Sequence, residues 1–224
     1  MGVSYTGTLV RSGTERATLV RRTYALVFAS LFITAGGVVA TQQSPELMGT
    51  VMQHPIITVL VMFGSLIMAQ RATAPFNLGL VGLFTLLEGM FLAPYLALAE
   101  QRTPGITAQA GLLTMSTFGV LTAYATLSRR DFSAWGAFFM VGVWVLLGTM
   151  LLNFFFPTAL GSLWIAAGIV LVFSGLLVFD TWRITRSGQY GPDDYVPAAL
   201  SIYLDLLNLF LGIMRLLGGG GNRR

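Results

Sequence analysis

Two acids stand inside the most apolar stretches of this chain. Asp180 lies in "IVLVFSGLLVFDTWRITRSG" (169–188) and Asp205 in "ALSIYLDLLNLFLGIMRLL" (199–217). A carboxylate at the centre of a membrane helix costs about 2.5–3.5 kcal/mol on insertion scales, so an acid there is read as functional by default. Two carboxylates close together in a low dielectric do not both ionise freely; they share a proton and titrate as a unit. Deprotonated, the pair attracts cations. It is then a minimal hard-cation site, and calcium prefers such oxygen ligands. Threonine, serine and backbone carbonyl oxygens are available to complete it.

Other polar residues join the pair. Ser201, Asp205, Asn208, Gly212 and Arg215 are spaced by four, three, four and three residues. At helical periodicity they share one face, with leucine, isoleucine and phenylalanine on the others. Such a stripe is expected to face a bundle interior or a water-filled path, which makes the last helix central. Glu88, in "LFTLLEGMFLAPY", falls near mid-membrane with Thr85 and Tyr95 on its face. Arg71 ends the second apolar run and is a candidate partner for Asp180.

Each residue also has a plainer reading. Asp180 is an interfacial anchor paired with Arg183 or Arg186, as charges at membrane ends often are. Asp205 and Glu88 are hydrogen-bonding hubs of the bundle. Arg71 is a topology residue.

The elements that must position these side chains follow from composition. Of 224 residues, 55% are hydrophobic and 10% charged, against about 25% charged in soluble domains. The apolar residues come in long runs. We read seven spans, at about 22–40, 55–71, 76–98, 106–127, 134–156, 160–182 and 197–217, each near the ~20 residues needed to cross a bilayer. The expectation is an all-α membrane protein, a seven-transmembrane-helix bundle in one integral membrane domain over 1–224. Residues 1–19 form a short N-terminal segment, 20–217 the bundle and 218–224 a Gly/Arg tail. Pro45, Pro55, Pro75, Pro104, Pro157, Pro192 and Pro197 punctuate the helix ends. The charged leader before the first span is long for a signal peptide, so cleavage is not expected. Gly161, Gly168 and Gly175 are heptad-spaced on span six and mark a close-packing face.

On this count of spans, Asp180 lies near the end of span six and Asp205 about 12 Å into span seven, which starts from the same side. The two acids are therefore matched in depth. Arginines orient the bundle. Arg11, Arg16, Arg21, Arg22, Arg71, Arg129, Arg130, Arg183 and Arg186 fall on one side, and Arg102, Arg215, Arg223 and Arg224 on the other. Basic residues favour the cytoplasmic side, which puts the N-terminus in the cytoplasm.

Absences exclude several functions. The chain has no cysteine and no lysine, and its only histidine is His54. Disulfide frameworks, thiol chemistry, a retinal Schiff base and the usual zinc sites are thereby set aside. No basic block points to nucleic acid. An intramembrane aspartyl protease also uses two aspartates on neighbouring helices, but its "GxGD" and "YD" contexts are absent, so no enzyme is expected.

Four segments resemble the Bax inhibitor-1 family of membrane proteins: "VRRTYALVFASLFITA" (20–35), "TLSRRDFSAWGAFFMVGVWVLLGTMLLNFFF" (126–156), "FDTWRI" (179–184) and "ALSIYLDLLNLFLGIMRLLGG" (199–219). The resemblance covers nearly the whole chain, and the arginine bias and length look bacterial. It implies a seven-helix bundle with a central last helix, in the bacterial inner membrane. It also implies a pH-sensitive calcium leak, with an aspartate pair on the last two helices as proton sensor and an arginine on helix two as latch. Asp180 and Asp205 match the pair, and Arg71 is the candidate latch. Bacterial members also modulate a membrane-bound AAA protease, and eukaryotic ones suppress cell death. The implied partners are the bilayer, calcium, protons and such a protease. The rival expectation is accordingly a non-conducting interaction protein.

Overall fold

A computed structural model describes residues 13–155, 159–191 and 193–219. They form eight helices and no strand: α1 (Gly13–Gln43), α2 (Pro45–Gln53), α3 (Pro55–Arg71), α4 (Phe76–Arg102), α5 (Ile106–Leu127), α6 (Ser133–Phe155), α7 (Ala159–Thr185) and α8 (Tyr195–Gly219). Six of these are long and apolar enough to cross a membrane. A seventh crossing exists only if α2 and α3, bent by 88° at His54, count as one. The expected helical membrane bundle is observed, with six crossings by length and composition and a seventh where α2 and α3 count together. Arg11, Pro157, Pro192, Arg223, Arg224 and the tail from 220 lie outside the described residues.

Local signals explain the boundaries. Ser44 caps α2, its hydroxyl accepting from the Leu47 N–H at 3.3 Å, with Pro45 in the first turn. His54 closes α2 and Pro55 opens α3. Gly105 turns the chain into α5 with φ 81°, a left-handed conformation that suits glycine. The Glu100 carboxylate accepts the N–H of Gly105 and, at 3.2 Å, that of Thr107, so it satisfies donors at the start of α5.

α8 is the centre. It packs against α1, α3, α4, α5 and α7, and Leu200, Ile202, Tyr203, Leu206 and Leu209 are buried on several of its faces. The expected central last helix is observed. α1 and α4 pack backbone to backbone: a Cβ on Gly37 would sit 2.5 Å from the Leu86 carbonyl, and one on Gly89 would strike that of Thr34. Gly212 lets α8 close on α7, since a Cβ there would meet Ile169 Cγ2 at 2.8 Å. On the outside, α6 lies along α7. The glycine face expected on span six is used there, with Gly175 under the Phe139 ring and Gly168 beneath Leu146. The side-chain surroundings of Gly161 lie outside the described residues. Large apolar side chains such as Phe32, Ile56, Phe138, Trp144 and Trp164 cover the outer surface, as lipid contact requires.

Candidate functional site

Asp180 and Asp205 meet. Both are buried, one on α7 and one on α8, and their side chains face each other closely enough to interact electrostatically. Two carboxyls this close in a low dielectric do not both ionise freely, so a proton on one of them is favoured. Asp180 Oδ1 and Asp205 Oδ2 are buried and have no hydrogen-bond partner among the described residues. Arg183 Nη1 stands 3.4 Å from Asp180 Oδ1, an ion pair one helical turn along α7. The guanidinium is also held over the Tyr190 ring, 4.6 Å from its centroid.

The neighbours brace this point. Tyr24 on α1 donates a hydrogen bond to Thr181, beside Asp180, at 3.4 Å. Arg186 donates to the Thr126 carbonyl at 2.7 Å and ties the end of α7 to the end of α5.

The other expected residues fall differently. Arg71 is exposed at the end of α3 and makes no ion pair among the described residues; Arg183 occupies the place expected for it beside Asp180. Of the expected α8 stripe, Asp205 and Gly212 are buried, while Ser201 and Asn208 are half-buried. Asn208 Nδ2 turns back to the Leu204 carbonyl at 2.8 Å. Arg215 is exposed near the far end of the helix rather than interior. The stripe fails there because arginine's long stem carries its charge out to water near a helix end.

Sequence reasoning missed a second buried centre, one of neutral groups. Tyr203 and Thr34 share a hydrogen bond of 2.7 Å between hydroxyls, and Thr34 Oγ1 also lies 3.0 Å from the Thr85 carbonyl and 2.9 Å from that of Ser30. Three helices, α1, α4 and α8, meet at these groups. The available signal was Tyr203 itself, a lone phenol in mid-span where tyrosines normally belong at the interface. Glu88 lies one turn beyond Thr85, buried and within electrostatic reach of Tyr203, with no hydrogen-bond partner among the described residues.

A cavity of about 1050 Å³ opens beside this centre, between α1, α4, α5 and α8. Gln42, Glu100 and Gln101 lie on its wall toward the helix ends, and Thr34, Leu206 and Leu207 line its deeper part. It therefore reaches the residues that follow Asp205 in α8. Among the described residues no group of three or more histidine, cysteine or acidic side chains gathers to hold a metal.

Comparison with known proteins agrees with this architecture. The family described as "Inhibitor of apoptosis-promoting Bax1" matches residues 16–223. Bax inhibitor 1 of Schizosaccharomyces pombe is 34% identical over 211 residues, which cover 91% of this chain and 77% of that one. The Golgi anti-apoptotic protein of Vaccinia virus is 30% identical, covering 90% of this chain and 85% of its own. An uncharacterized membrane protein of Vibrio cholerae is 33% identical, covering 91% and 90%.

Proposed function

This chain belongs to the Bax inhibitor-1 family, and on that premise we propose that it is a pH-gated cation leak whose cargo is calcium. The observation that carries the reading is the juxtaposition of two buried carboxyls, Asp180 on α7 and Asp205 on α8. One shared proton holds α7 to α8. When that proton leaves, two like charges face each other in a low dielectric and repel. The helices part, and four carboxylate oxygens become ligands for a hard cation. Calcium is cargo here, since two carboxylates beside an arginine suit a passing ion better than a resident one. The flux consequently rises with pH.

Arg183, 3.4 Å from Asp180 on the same helix, favours the ionised carboxylate and so bears on the pH at which the shared proton leaves. The cavity between α1, α4, α5 and α8 serves as the entry from the opposite end. On this reading the N-terminus and the aspartate pair face the cytoplasm, the side that the arginine bias favours.

The test is calcium flux into proteoliposomes between about pH 5 and 8, a range over which a coupled carboxylate pair titrates. Asp205→Asn replaces the shared proton with a permanent amide donor, so its flux is expected to stay at the low-pH level throughout. Flux and pH response equal to wild type would refute the mechanism.

A second reading is favoured by the names of the relatives. Bax inhibitor 1 and the Golgi anti-apoptotic protein are named for inhibition of cell death, not for conduction. On this reading the chain is a non-conducting modulator of a membrane-bound protease or of a stress response. It predicts no flux above empty liposomes, and a protease that co-purifies with the full chain but not after deletion of residues 1–18.

A further inference from the structure

At the end of the bundle away from Asp180, two arginines line one pocket. Arg102 ends α4, and Arg215 lies one turn before the end of α8. The pocket has a volume of about 550 Å³, and its wall also carries Tyr95, Leu98, Leu163 and Met214. Neither guanidinium has an acidic partner among the described residues, where the ion pairs join Arg22 to Asp193 and Arg183 to Asp180. The acid nearest in sequence is Glu100. Its two oxygens are taken by the Gly105 and Thr107 N–H groups, and it lines the neighbouring cavity instead.

Two features define what fits. Guanidinium groups present several N–H donors in a planar fork, which matches phosphate oxygens. The wall beside them is hydrocarbon, at the depth where transmembrane helices end. A ligand that satisfies both has a phosphate attached to an apolar chain. The arginine bias disfavours positive charge at this end of the bundle, so the two that converge there call for an anion. We propose that the pocket binds the phosphate of an anionic phospholipid, with Arg102 and Arg215 sharing its oxygens and the upper acyl chain lying against Leu98, Leu163 and Met214.

The full chain in a nonionic detergent, measured by native mass spectrometry, provides the test. The probes are phosphatidylglycerol, phosphatidylcholine and inorganic phosphate. Phosphatidylglycerol is expected to be retained over phosphatidylcholine. Arg102→Gln and Arg215→Gln should each weaken its retention roughly five-fold, and the pair roughly 25-fold, as expected for basic residues facing an anionic headgroup. Arg129→Gln, exposed in the α5–α6 connection, should leave it unchanged. Should the glutamine variants not fold, Arg102→Lys with Arg215→Lys keeps both charges but loses the fork, and a partial loss of retention is expected. Retention of phosphatidylglycerol unaltered in the glutamine pair, or in the lysine pair, would overturn the site. Inorganic phosphate bound as tightly as the lipid would overturn the phospholipid assignment, because the apolar wall would then contribute nothing.

Discussion

Two polar centres are buried in this bundle, and they are built on opposite terms. Around Tyr203 the groups are neutral. The phenol, the Thr34 hydroxyl and two backbone carbonyls lie within hydrogen-bonding distance, between 2.7 and 3.0 Å. Around Asp180 and Asp205 the groups are acidic, and two buried oxygens have no hydrogen bond among the described residues. A satisfied neutral network has one preferred arrangement and acts as glue. A half-satisfied acidic pair has two, set by whether the proton is present. The first fixes α1, α4 and α8 to one another. The second holds α7 on a condition.

That contrast can be broken most severely at the pair. Asp180→Asn/Asp205→Asn removes every charge that titrates there, so flux in proteoliposomes should lose its pH dependence entirely while the thermal midpoint in detergent does not fall. A double variant that gates normally would erase the distinction. On the neutral side the largest effect lies at Gly89. Its Cα faces the Thr34 backbone, so Gly89→Ala drives α4 away from α1 and dismantles the network. We expect a loss of about 3 kcal/mol, since overpacking against backbone has no side chain to yield; thermal unfolding would read it.

Arg183→Gln sharpens the comparison further. Removing a positive charge beside the pair makes the shared proton harder to lose, so the pH of half-maximal flux should rise. Protein stability should barely change, because the arginine is partly exposed at its end of α7. The smallest effect belongs to Tyr203→Phe, which removes a single hydrogen bond. Double-mutant cycles in membrane bundles put such a bond at about 0.6 kcal/mol. The thermal midpoint should drop slightly and the flux–pH curve should stay where it is. A shifted curve would mean that the two centres are coupled.

Much of this was legible in the sequence. The spans at 55–71 and 106–127 match α3 and α5 in full, because proline or glycine stands at the junctions. The start of α1 was not legible. α1 is already helical at Gly13, the first described residue, nine residues before the apolar run at 22, because helix persists through Glu15, Arg16 and Arg21 while hydrophobicity stops. The spans leave α2 out although Ser44 and Pro45 spell a helix start; Pro45 alone enters the sequence reading, as punctuation.

The acids show the same division. Spacing gave their matching depth, but their contact depends on the closeness of α7 to α8 at Gly212, which no periodicity reports. Thr34 and Tyr203 are 169 residues apart, so neither points to the other along the chain. Arg215 followed the stripe in register yet not in direction, since a long stem near a helix end finds water more easily than core.

The elbow at His54 has a consequence for the surrounding lipid. It leaves α3 with 17 residues, or about 26 Å of axial rise, while the hydrocarbon layer of a typical bilayer is about 30 Å thick. Beside it α4 has 27 residues, or about 40 Å. Acyl chains along a crossing of about 26 Å compress, at fractions of a kcal/mol per Å, whereas those along α4 meet a helix longer than the hydrocarbon layer. Membrane thickness, through this hydrophobic mismatch, thus enters the energetics of the bundle along α3.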